Sequence, residues 1–167
     1  TSRHDTNIYA TRAGKGFIEF HTKQGEDCVL ALLPYPSSYR YKEIRKEGQN
    51  FQDKVAEWLK PGTSQFRDDT INIIMAHVLS FGSNLEKDEY RLYTTVSSND
   101  NYVDQKLFHN NKAQYTALGH IHQSVAVNKD KNIFYSGSLI NQFFSGRSDS
   151  PTNILIVDLD KNGVQNI

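Results

Sequence analysis

Apolar and polar positions along the chain divide it into short elements separated by turns. Residues 16–23 alternate, with Phe17, Glu19, His21 and Lys23 on one side and Ile18, Phe20 and Thr22 on the other, the period-two pattern of a strand. After a polar turn at 24–27, residues 28–33 form a continuous apolar run closed by Pro34 and Pro36. Such a run predicts a strand buried on both faces, as in a parallel or mixed sheet covered by helices. Residues 71–76 read the same way. Between these two runs the period changes: Phe51, Val55, Trp58 and Leu59 sit at helical spacing, which predicts a helix over 49–60 ended by Pro61-Gly62.

The stretch 78–98 is long and polar and contains Gly82, so it predicts mostly loop with at most a short helix. A helix is expected over 100–110, with Val103, Leu107 and Phe108 inward. Strands are expected at 115–118, 124–127 and 133–135, the last two joined by the polar turn 128–131. A final strand at 154–158 leads into a turn at 160–163 that opens a hairpin. Strands alternating with helices and then finishing in a run of strands predict an α/β layered domain with a mixed sheet.

Composition narrows this picture. The chain has 167 residues, 37% hydrophobic and 23% charged, which is one domain's worth of soluble globular sequence. Its one cysteine, Cys28, cannot form an internal bridge, which fits a reducing compartment and points to the cytoplasm. Nineteen basic residues balance nineteen acidic ones, so no overall field attracts a polyanion, and nucleic-acid binding has to rest on local groups. No signal-peptide pattern is visible, and no apolar run approaches the ~20 residues of a membrane span.

Three of the six histidines fall where predicted strands end: His77 after 71–76, and His120 and His122 after 115–118. In open α/β sheets, ligands bind in the crevice beyond the carboxyl ends of the strands. Residues i and i+2 of an extended segment point to the same side with backbone positions ~6.6 Å apart. Two imidazoles leaning together from that spacing could each hold one ion of a pair ~3.5–4 Å apart. Gly119 would let the backbone turn tightly just before them. A His-x-His on a polar loop also arises by chance, and a lone histidine closing an apolar strand is commonly a hydrogen-bonded structural residue. Spacing alone leaves both readings open.

The combination of segments carries a resemblance. Ile74-Met75-Ala76-His77, Ala117-Leu118-Gly119-His120-Ile121-His122 and Phe134-Tyr135-Ser136-Gly137-Ser138-Leu139 are similar to the closing motifs of the calcineurin-like metallophosphoesterases. The Tyr-Ser-Gly-Ser segment and Leu32-Leu33-Pro34-Tyr35-Pro36 resemble the DNA-repair nuclease branch, the SbcD-type exonucleases. The resemblance runs from about residue 29 to 160 and covers only the second part of that catalytic domain. It implies an α-β-β-α sandwich, two-metal hydrolysis of the DNA backbone in repair or recombination, and two divalent ions, with manganese expected. It also implies His77 and His120 as ligands of one metal and His122 as a ligand of the other. Neutral imidazole suits a transition ion better than Mg²⁺. DNA and an SbcC-like ABC-type ATPase are the implied partners, and a homodimer is compatible.

A two-metal centre also needs carboxylates to complete its shells. The family draws them from an Asp-x-His and a Gly-Asp motif, and the sequence contains neither. Its next motif has a variant in Ser2-Arg3-His4-Asp5, where His4 matches the histidine that assists the leaving group and Arg3 stands in place of a metal-binding asparagine. With Thr1 in place of an initiating Met, residues 1–167 are expected to be the later part of one domain, inactive alone and a poor metal binder. Ser136 and Ser138 in a small-residue turn, and Arg147 in the polar stretch 145–150, are softer candidates for phosphate contact; turns and solvated loops use the same residues. Phe143 and Phe144 could stack on bases or pack on the sheet. Two other readings remain: a phosphatase or small-molecule phosphodiesterase of the same superfamily, and a degenerate, non-catalytic binding module.

Overall fold

The computed structural model describes residues 8–22, 25–37, 50–81, 102–140 and 153–167. Its centre is a seven-stranded mixed sheet. The strands are β1 (Ile8–Gly14), β2 (Phe17–Thr22), β3 (Asp27–Leu33), β4 (Ile71–His77), β7 (Tyr115–Gly119), β8 (Ser124–Asn128) and β9 (Ile133–Ser136). They lie side by side in the order β1-β2-β3-β4-β7-β9-β8. β3, β4, β7 and β9 run parallel, and β1, β2 and β8 join antiparallel at the edges. The α/β class and mixed sheet expected from the sequence are therefore present.

Register explains the two faces. Ala31 pairs with Ile74, Ile74 with Thr116, and Thr116 with Ile133, so these residues share one face. That face is sealed: Val29, Ala31, Leu33, Ile74, Ala76, Leu118, Ile133 and Tyr135 are all buried. Helix α1 (Phe51–Thr63) lies over it, contributing the buried Val55 and Leu59. On the opposite face Cys28, Ile71 and Tyr115 are buried at the amino ends of the strands, but toward the carboxyl ends Leu30, Leu32, Ile73 and Ala117 are only partly buried, and Met75 is 47% exposed. The expectation of strands buried on both faces is thus corrected, because a continuous apolar run does not distinguish a sealed face from a half-covered one.

Helix α1 starts where Asn50 accepts a hydrogen bond from the Asp53 backbone N–H at 2.8 Å. It runs through Pro61 to Thr63, past the predicted stop. Proline in the last turn removes one backbone bond, and the Ser64 N–H still reaches the Lys60 carbonyl at 2.9 Å. Gly62 serves close approach: a Cβ there would press on the Gly16 carbonyl and on Ala31.

Two other predicted elements change type. The helix expected over 100–110 is instead β6 (Tyr102–Asp104), paired in parallel with β5 (Leu79–Phe81), followed by a 3-10 turn over Gln105–Phe108. Val103 and Phe108 are inward as expected, but Gln52 of α1 holds the backbone of Tyr102 and Asp104, and the Asp104 carboxylate caps the turn. These contacts from distant residues override local propensity. Residues 154–158 also differ, since the strand is β10 (Asp158–Asp160), hairpinned to β11 (Gly163–Asn166). Residues 153–157 alternate in exposure, with Ile154 and Ile156 outward, yet no described strand pairs with them. β1 was not expected at all. The long stretch 82–101, with Tyr90 and Tyr93, lies outside the described residues.

Candidate functional site

The four parallel strands all deliver their carboxyl ends to one edge of the sheet. β3 ends before Pro34-Tyr35, β4 ends on His77, β7 leads into His120 and His122, and β9 ends on Ser136. Between them is an open, largely apolar cleft of about 590 Å³ lined by Leu32, Met75, His77, Ala117, Gly119 and Ser136, among others. Parity on the strands puts His77 on the half-covered face with Ile73 and Met75, because residues of one strand alternate sides.

Here the rings converge. The imidazoles of His77 and His120 meet edge to face with centroids 5.5 Å apart. Tyr35 closes the triangle, stacked on His120 at 5.7 Å and edge-on to His77 at 5.8 Å. Gly119 makes room for the pair, since a Cβ on it would lie 3.0 Å from His77 Nδ1. The tight backbone falls one residue later than expected, at His120, whose φ of 113° is in a region that side chains rarely adopt. Strained backbone of this kind costs about 1–3 kcal/mol and concentrates at functional sites. β7 ends at Gly119, so His120 and His122 sit in an irregular turn and not on a continued strand, with the buried Ile121 anchoring the chain between them.

Burial pushes the His77 imidazole below its ordinary pKa of 6.5, and the charge of His122 adds to the effect. A neutral imidazole keeps a lone pair free, which suits metal binding. Among the described residues no group of three or more His, Cys, Asp or Glu is arranged to hold a metal ion. The donor chemistry of the histidines fits a transition ion, while the set is incomplete.

Of the softer candidates, Ser136 lines the cleft beside His77, with its hydroxyl 3.4 Å from the Gly137 carbonyl. Ser138 stands differently: its hydroxyl donates to the Ile140 carbonyl at 2.8 Å, and its backbone N–H donates to the His122 carbonyl at 3.0 Å. His4 and Arg147, with Phe143 and Phe144, lie outside the described residues. Tyr35 was missed as a site residue. Its signal was its position directly after a buried parallel strand, between two prolines that fix the exit of the chain.

Among curated proteins, the chain is similar to the D subunit of the nuclease SbcCD of Bacillus subtilis (strain 168), 26% identical over 146 residues. The match covers 80% of this chain and 35% of that protein, so the chain spans about a third of the length of the curated relative it matches. No protein-family model matches the chain. The similarity is distant. No described helix is long and apolar enough to cross a membrane.

Proposed function

We propose that the chain is the later part of a metallophosphoesterase domain, and that the complete protein is a metal-dependent DNA phosphodiesterase of the SbcD type. The observation that carries this reading is the meeting of His77 and His120 at the carboxyl ends of two adjacent parallel strands, with His122 two residues further along the same turn. The distant similarity to a nuclease subunit over most of the chain supports it. In this reading His77, His120 and His122 hold two divalent ions, manganese by preference, together with carboxylates from residues beyond those described. The ions, when bound, supply Lewis acidity and neutralise charge on the scissile phosphate. The residues of this chain orient that chemistry: Gly119 leaves space for His77, Tyr35 stands against the imidazole pair, and Leu32, Met75 and Ala117 form an apolar floor beside it.

His4 would assist the leaving group, and Ser136, Ser138 and Arg147 would contact phosphate. The same reading extends to an SbcC-like ATPase and a second copy of the protein as partners.

The test is hydrolysis by the complete protein with Mn²⁺, on linear double-stranded DNA and on p-nitrophenyl phosphate esters. DNA degradation that disappears in His120→Ala is the expected result. Ester hydrolysis without DNA degradation would replace the nuclease reading with a phosphatase one, and no hydrolysis of either substrate would leave a non-catalytic module.

A further inference from the structure

Tyr135 is wholly buried on the sealed face of the sheet, the face opposite the cleft. Its hydroxyl nevertheless reaches the chain that leaves His77. It accepts a hydrogen bond from the Ser80 N–H at 2.7 Å and donates to the Val78 carbonyl at 2.8 Å, with the Ser80 carbonyl at 3.2 Å. β9, which carries Tyr135, is separated from β4 by β7, so this bond spans two strand positions. Three residues later the same segment makes a second attachment, where the Ser138 N–H donates to the His122 carbonyl at 3.0 Å. Gly137 makes that approach possible. Its φ is +84°, and a Cβ on it would stand 2.8 Å from the Ser124 backbone nitrogen.

We infer that residues 135–138 form a two-armed positioning clamp, in which Tyr135 sets the His77 arm of the site and Gly137-Ser138 sets the His122 arm. The inference rests on the histidine site proposed above and assigns the segment a role beyond phosphate contact. The positioning role of each arm runs through the backbone of a histidine-bearing turn, separately from any phosphate contact by a serine hydroxyl. His77 and His122 follow different strands, β4 and β7. Segment 135–138 is bonded to the chain at both, through Val78 and Ser80 on one side and His122 itself on the other. A buried hydroxyl shared between a carbonyl and an N–H fixes the position of both peptide groups, since leaving either unpaired in the core is costly.

The test is nuclear magnetic resonance on the intact protein with labelled histidine, comparing Tyr135→Phe and Gly137→Ala with the wild type and without added metal. Tyr135→Phe is expected to lose the through-space contact between the His77 and His120 rings while retaining that between the Ser138 amide and His122. Gly137→Ala is expected to do the reverse. Retention of the His77–His120 contact in Tyr135→Phe, or loss of both contacts in each variant, overturns the clamp. Should Tyr135→Phe not fold, Gly137→Ala decides alone: selective loss of the Ser138–His122 contact supports the clamp, and any other pattern overturns it. Mn²⁺ added to the wild type then judges the metal reading separately. Broadening of the three histidine signals supports that reading, and sharp signals refute it while leaving the outcome for the clamp unchanged.

Discussion

His77 and His120, which are 43 positions apart in the chain, meet edge to face at 5.5 Å because β4 and β7 pair in parallel with His77 directly opposite Gly119. Parallel pairing of adjacent strands brings their carboxyl ends to the same edge, so a residue closing one strand and a residue following the next become neighbours without any local motif linking them.

The backbone of His120 is strained at φ 113°, and glycine would relieve it. His120→Gly should melt higher than His120→Ala by an amount equivalent to about 1 kcal/mol, since alanine keeps the strain and glycine does not. Both variants should lose metal-dependent hydrolysis in the complete protein. Thermal denaturation of the two side by side provides the check, and equal melting temperatures would show that this backbone stores no strain.

Gly119 faces His77 across the ladder, and a Cβ there would come within 3.0 Å of Nδ1. Gly119→Ala should displace the His77 ring and weaken Mn²⁺ binding by the complete protein roughly ten-fold, about 1.4 kcal/mol, with little loss of stability. Calorimetric titration with Mn²⁺ alongside a melting curve separates the two effects.

Glu19 is 7% exposed and accepts hydrogen bonds from Arg67 at 2.5 Å and Arg12 at 2.9 Å. The Arg67 guanidinium, and then that of Arg12, hold its carboxyl below the ordinary value of 4.5 against the opposing cost of burial. A carboxylate depressed in the folded state stabilises the fold above pH 4.5, and that stability is lost as pH falls from there through the lower folded value. Glu19→Gln should cost roughly 1–2 kcal/mol at pH 7, because both arginines are partly exposed and screened. The variant should also lose less stability than the wild type between pH 4.5 and pH 3, as measured by urea denaturation across that range.

Ser80 is fully buried, and its hydroxyl oxygen has no hydrogen-bond partner among the described residues, while its backbone is held by Tyr135. An unpaired buried hydroxyl costs roughly 1–3 kcal/mol. Ser80→Ala should therefore raise stability by about 1 kcal/mol, read from the midpoint of denaturant unfolding, and a lower midpoint would mean that the hydroxyl is satisfied in solution.

Much of this molecule was legible along the chain. The apolar runs at 28–33 and 71–76, the helix that ends near Pro61, and the closing strands up to 133–135 all lie within a few residues of their predicted places. Period and turn chemistry are local properties, which is why they can be read there. The strand-end positions of His77 and of the His120-Ile121-His122 segment were legible for the same reason. Val103 illustrates the limit: its inward direction was readable, but whether it sat on a helix or a strand depended on Leu79–Phe81 and on Gln52 of a distant helix.

Sequence alone determined the class of the fold, the elements with strong periodicity and the identity of the candidate ligands. The tertiary structure decided which face of the sheet is sealed, that Tyr35 stands against both imidazoles, and that Tyr135 reaches from the sealed face to the turn after His77. It also placed the tight backbone at His120 and not at Gly119, and gave Gly119 a different purpose, space for a ring. These outcomes depend on strand order and register. Both are set by pairings between residues far apart in the chain, and no period within a single segment encodes them.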